Sequence, residues 1–162
     1  LMTMPIKKTE IICAYAIAFC ILGTIQAVVA GLASIYIFGL ETGGKTVAVI
    51  GIAILDSILG TALGLLASSL ARTEFQAVQF MPVVLIPQFL LGGFIVPRDS
   101  LPSFLNFLSD LMPLSYSVDA LSQVFRQGTN LHSGYINNVL VVLLISVIAL
   151  ALGGLTLRRS SK

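Results

Sequence analysis

The chain has 162 residues, of which 57% are hydrophobic and 10% charged, with a mean hydropathy of +1.01 and a formal net charge of +2. Soluble domains carry about 25% charged residues, so one water-soluble globule of this size has no room for so much apolar surface, and the chain reads as an integral membrane protein. The small positive excess sits at segment ends, which excludes a nucleic-acid-binding face.

Crossing about 30 Å of hydrocarbon takes about 20 helical residues. The first run of that length is 11–38, uncharged throughout and interrupted only by residues such as Gly23, Gln26, Gly31 and Ser34. It follows Lys7 and Lys8, with no signal peptide and cleavage site before it, and the leading residue is Leu1; the expectation is a piece of a longer chain. Cys13 and Cys20 lie seven apart in this run, share a helix face and cannot bridge one another; they read as small core residues.

Between the first two runs, residues 39–46 (GLETGGKT) fit the phosphate-cradling pattern G-x-x-x-x-G-K-[ST] in full. That chemistry needs a parallel sheet to hold the loop and a second acid for magnesium, whereas here the flanks are apolar runs of bilayer length. The match is read as chance, and no bound nucleotide or other cofactor is expected.

The second run, 47–70, contains one acid, Asp56. An ionised carboxylate at mid-bilayer costs about 2.5–3.5 kcal/mol on insertion scales, so Asp56 faces helices or water, or is protonated. Two uses stand open: contact with a cation, proton or polar substrate, or a structural hydrogen bond to Ser57 or a facing helix. Gly60 and Gly64 follow as G-x-x-x-G, which predicts close helix packing within or between subunits.

The third run, 75–96, carries Pro82 and Pro87, each removing a backbone hydrogen bond, so a kinked helix is predicted. Gln76, Gln79 and Gln88 are its candidate polar contacts to a transport pathway. Beyond the break at Pro97-Arg98-Asp99 the periodicity changes. Phe104, Phe107, Leu108 and Leu111 fall at i, i+3, i+4 and i+7 with Ser103, Asn106 and Asp110 opposite. Ser100 is the predicted cap, Pro102 sits in the first turn, and Pro113 stops the helix. After it Ser115, Asp119, Ser122, Gln123 and Arg126 form a polar stripe against Leu114, Val118, Leu121 and Phe125. Two short amphipathic helices over 101–126 are therefore predicted, either interfacial or re-entrant.

The fourth run is 136–157. Four crossings put both ends on one side, and Lys7, Lys8, Arg72, Arg158, Arg159 and Lys162 outnumber Lys45, Arg98 and Arg126 on the other; the excess predicts cytoplasmic ends and an outer helix pair. Lone His132 has no neighbour with which to hold a metal, and no nucleophile with a base or pair of carboxylates marks an enzyme.

The segment LGTALGLLASSLARTEFQAVQFMPVVLIPQFLLGGFIVPRDSLPSFLNFLSDLMPLSYSVDAL resembles the C-terminal half of an ABC-2 type transporter permease, most of all the daunorubicin-resistance and multidrug-efflux branch. The resemblance covers nearly the whole chain. LMTMPIKKTEII is similar to the end of that family's cytoplasmic coupling segment, which makes Met4, Pro5, Lys7 and Lys8 its remnant here. The more specific landmarks are Pro97 and Pro102 and the run Pro113-Leu-Ser-Tyr116, which match the family's outer re-entrant element. What the resemblance implies is an all-α, multi-pass protein of the bacterial plasma membrane: the last four spans of a six-span subunit, with two such subunits, as a homo- or heterodimer, forming the pathway. It also implies cytoplasmic ABC ATP-binding subunits that drive alternating access, no enzymatic activity in the permease itself, and export of a drug-like, lipid-like or envelope substrate. The alternative from another class is a small helical membrane protein that binds or stabilises partners, as an immunity or assembly factor.

Overall fold

A computed structural model describes residues 8–42, 45–126 and 133–159. They form α1 (Lys8–Tyr36), α2 (Thr46–Leu70), α3 (Glu74–Leu91), a single 3-10 turn (Arg98–Ser100), α4 (Ser103–Asp110), α5 (Pro113–Arg126) and α6 (Ser133–Arg159), with no strand among the described residues. Four of the helices, α1, α2, α3 and α6, are long and apolar enough to cross a membrane. The stretch ahead of residues 39–46 is the end of α1, so no strand holds that loop; Gly43 and Gly44 lie outside the described residues.

The helices alternate in direction. Gly23 of α1 approaches Ser57 of α2, and Gly31 approaches Ile50, so α1 and α2 run antiparallel. Gly153 of α6 lies against the backbone of Leu65 and Leu66 in α2, while Tyr135 and Val139 at the start of α6 pack on the cluster that holds Val49 and Ile52; α2 and α6 therefore run parallel. The start of α1, the α2–α3 turn and the end of α6 share one end of the bundle, called proximal here. The 37–45 loop, α4, α5 and the start of α6 share the other, distal end.

Lipid does not drive helices together, so packing relies on close approach of small residues. An added Cβ at Gly23 would stand 3.0 Å from Ser57 Oγ, and at Gly31 3.2 Å from Ile50 Cγ1. Ala27, between them on the same face of α1, is buried. The small-residue seam is therefore Gly23, Ala27 and Gly31. Gly60 and Gly64, which carry the sequence motif, are exposed, and a Cβ on either would meet nothing within 4 Å; within this chain they pack against no helix. Cys13 is exposed and Cys20 half-buried, so neither is a core residue. The remaining surface is studded with exposed Ile, Leu, Val and Phe side chains, as a bilayer-facing exterior requires.

The third helix differs from its sequence reading. It runs without interruption through Pro82 and Pro87 but ends at Leu91, not at residue 96. The cause is local: Gly93 has φ +89, a left-handed conformation that reverses the chain and favours glycine. At 18 residues α3 is about 27 Å long, the shortest of the four membrane-length helices. Its other end is well capped, because Thr73 Oγ1 accepts from Gln76 N–H and Gln76 Oε1 accepts from Arg72 N–H, close to a capping box.

Ser100 is not the cap of α4. It belongs to the 3-10 turn, and Pro102 occupies the N-cap position. The predicted apolar faces of the pair are only partly its packing faces. Phe104, Phe107 and Leu111 of α4 are exposed, while Ser109 is fully buried. In α5 the buried residues include Ser115, Ser117, Ala120 and Val124, and Phe125 is exposed. The small residues give close contact with α2 and α6; Leu114, Val118 and Leu121 of α5 are half-buried, with Leu121 packed on the Val49 and Ile52 cluster, while Phe104 and Phe107 of α4 and Phe125 of α5 face outward.

Candidate functional site

Asp56 lies fourteen residues from Leu70, and Gln88 fourteen from Glu74. Counted from the short α2–α3 turn, both therefore sit at about 21 Å. Above that level α3 soon ends and α2 continues for ten residues, about 15 Å. Helix α5 fills the space so created. Ser117 Oγ donates to Asp56 Oδ1, and Ala120 and Val124 join the Val49 and Ile52 cluster nearer the start of α2, so α5 rises antiparallel to α2 from the level of Asp56 to the distal end. Its course is re-entrant with respect to the long helices.

Below α5, the helices α2 and α3 stand apart and leave a cleft of about 390 Å³. Gly60, Gly64, Ala67 and Ser68 line it on α2, and Phe80, Met81, Val84 and Leu85 on α3. Asp56, Gln88 and Leu114 of α5 close its distal end. Two vacancies create the cleft: the missing side chains of Gly60 and Gly64, and the sparse contact between α2 and α3 beyond their shared turn. Gln88 is buried, and its Nε2 donates to Val84 O at 3.3 Å.

The helix pair is held to the end of α3 by a polar knot. Ser109 Oγ donates to Leu91 O at 2.7 Å, satisfying a carbonyl that the end of the helix leaves without an intrahelical partner, and lies 3.1 Å from Ser115 Oγ. Arg98 bridges the two short helices, with Nη2 on Asp110 Oδ1 and Nη1 on Asp119 Oδ2. The Arg98 guanidinium also stands 5.9 Å from the centroid of the Tyr116 ring, and Tyr116 Oη donates to Asp110 O at 2.8 Å. The carbonyls that end α3 and α4, of Leu91 and Asp110, are thus met by side chains of the distal pair.

The sequence-derived residues divide by location. Asp56 and Gln88 meet at the closed end of the cleft; its acid is bonded to a facing helix, through Ser117, while Ser57 Oγ donates to Ile54 O within α2. Gln76 serves the proximal cap, and Gln79 is exposed and does not line the cleft. Pro82 is exposed and Pro87 half-buried on α3. Pro97, Pro102 and Pro113 mark the three joints of the distal element, and Tyr116 its knot. Of the coupling-segment remnant, Met4, Pro5 and Lys7 lie outside the described residues and Lys8 begins α1; His132 is also outside them. No group of metal-ligating side chains occurs among the described residues. Ser117, Ser109 and the pairing of Arg98 with two acids are not singled out by sequence reading. The available signal is three serines, 109, 115 and 117, in the most amphipathic part of the chain.

The model of the ABC-2 type transporter family matches residues 1–126, and the chain belongs to that family. Among curated proteins it is 28% identical over 151 residues to the probable multidrug ABC transporter permease YbhS of Escherichia coli, covering 93% of this chain and 38% of that one. It is 23% identical over 129 residues to the linearmycin resistance permease protein LnrN of Bacillus subtilis, covering 79% of this chain and 33% of the relative. It is also 27% identical over 108 residues to ABC transporter G family member 20 of Dictyostelium discoideum, covering 67% and 15%. The chain therefore spans well under half the length of the curated relatives it matches. No solved structure matches it.

Proposed function

We propose that the chain forms the four-helix carboxy-terminal part of the membrane subunit of an ATP-driven exporter. Two such subunits enclose the pathway, and separate ATP-binding subunits act on the proximal face, which is cytoplasmic. The chain itself carries no catalytic step; it converts movement at the proximal end into opening and closing near the distal end. The substrates are apolar or amphipathic small molecules, including drug-like and lipid-like ones.

The observation that best supports this reading is the position of α5. It lies over the distal end of an apolar cleft and joins both walls, α2 through Ser117 and α3 through the Ser109 and Arg98 knot. A bend or tilt of α3 is therefore transmitted to the distal element. The family match and the likeness to the permeases YbhS and LnrN agree with this role.

The test is efflux from membranes containing the full assembly. Export of a multidrug panel is expected to require ATP and to stop when the ATP-binding partner is made unable to hydrolyse it. An assembly that moves none of the panel under either condition, while still protecting a host protein or drug target, would support the immunity or assembly role instead.

A further inference from the structure

Among the described residues Asp56 is the only charged one that lines the α2–α3 cleft; no described lysine, arginine or histidine lines it. One of its oxygens takes the Ser117 hydroxyl, and Oδ2 has no hydrogen-bond partner or ion pair among the described residues. A carboxylate at this depth normally meets a cation from the protein. Here the arginine of the distal element, Arg98, is committed to Asp110 and Asp119. The α2 wall that leads to Asp56 is apolar from Leu59 to Ala67, about 12 Å, and it is open because Gly60 and Gly64 have no side chains.

We infer that this cleft is a binding site for amphipathic organic cations, whose charge meets Asp56 and whose hydrocarbon body lies along Gly60, Gly64 and the α3 wall. Gln88 offers its amide oxygen at the same end for a ligand that carries an N–H. Charge complementarity selects the class: an anion would meet an unscreened carboxylate, and a neutral hydrocarbon would leave that carboxylate unmatched. Entry is lateral, since Met81 and Leu85 on the rim are exposed to the bilayer. The inference deepens the exporter reading and rests on it for its transport consequence.

Three probes of nearly identical shape separate charge from size: tetraphenylphosphonium, tetraphenylmethane and tetraphenylborate. Equilibrium binding is measured on the complete assembly in nanodiscs without ATP, with empty nanodiscs as the reference, and ATP-driven export is measured in inverted vesicles. Tetraphenylphosphonium is expected to bind at least tenfold more tightly than the other two. Asp56→Asn, which preserves the Ser117 hydrogen bond, is expected to remove most of that preference. Gly64→Leu fills open space and is expected to abolish binding while thermal unfolding is unchanged.

Equal binding of the three probes, or binding indifferent to both variants, overturns the site. So does a cysteine at position 64 that cross-links to another helix of the assembly, since the cleft is then a helix seat. If ATP drives export of neutral or anionic probes and Asp56→Asn changes nothing, the site fails while the exporter reading stands. If the phosphonium binds as described but ATP drives export of no probe, the exporter reading fails and the site stands.

Discussion

A single hydroxyl decides what Asp56 does in this chain. Asp56 joins α2 to α5 because Ser117 donates to it, and interhelical hydrogen bonds in membranes contribute about 0.6–1.7 kcal/mol. Ser117→Ala is therefore expected to destabilise the folded chain by about that amount in reversible detergent unfolding, and Asp56→Asn by less, because the amide oxygen still accepts. Glycines on the two sides of α2 give opposite signs. Gly23→Leu forces a side chain into Ser57 at a site where even a Cβ stands at 3.0 Å, and overpacking of this kind costs about 1–3 kcal/mol. Gly60→Ala meets no neighbour and removes backbone freedom from a helix, so it is expected to stabilise by about 0.5–1 kcal/mol. The same unfolding measurement reads both, and a destabilised Gly60→Ala would mean that another helix lies in the cleft.

At the scale of elements, the distal pair is a rigid insert only while its knot holds. Arg98 is 15% exposed, Asp119 37% and Asp110 55%. Exposed ion pairs are screened and contribute about 0.2–1 kcal/mol, so a double-mutant cycle should give the larger coupling energy to Arg98 with Asp119 and the smaller to Arg98 with Asp110. Arg98→Ala should raise amide hydrogen exchange across 103–112 more than across α2, since α4 has few other tethers. Equal exchange in wild type and variant would show that the Ser109 to Leu91 bond and the packing of α5 hold the pair without Arg98. This part of the architecture was only half legible in sequence. The periodicity of 103–126 and its prolines announced two short helices with a joint, but not which residues pack: Phe104, Phe107 and Phe125 are exposed while Ser109, Ser115 and Ser117 are buried. Amphipathicity in water puts apolar residues inward; in lipid both directions are available, and the small residues Ser117 and Ala120 decided which side packed.

For the whole molecule, alternating helix directions put residues 133 and 73 at opposite ends of the bundle, and both are exposed. With the proximal end cytoplasmic, a cysteine at Ser133 should react with an impermeant thiol reagent added outside intact cells, and one at Thr73 only after permeabilisation. The reverse pattern would invert the orientation and place α4 and α5 at the cytoplasmic face. The membrane class and the four helices of membrane length were legible in the chain itself, because hydropathy over about 20 residues is a one-dimensional property. Asp56 was also legible as a residue needing a partner, since the bilayer penalises a lone acid wherever the fold places it. Which glycines pack and which leave space was not: Gly60-x-x-x-Gly64 and the Gly23, Ala27, Gly31 seam look alike as spacing, and only the rotation of α2 between α1, α3 and α6 assigns one to contact and the other to a cleft. Gly93 ended α3 five residues early by turning left-handed, and that left room for α5 at the level of Asp56. Composition fixed the solvent each helix must face, whereas the pairing of Asp56 with Ser117, and of Arg98 with two acids, arose from residues far apart in the chain meeting only when the helices pack.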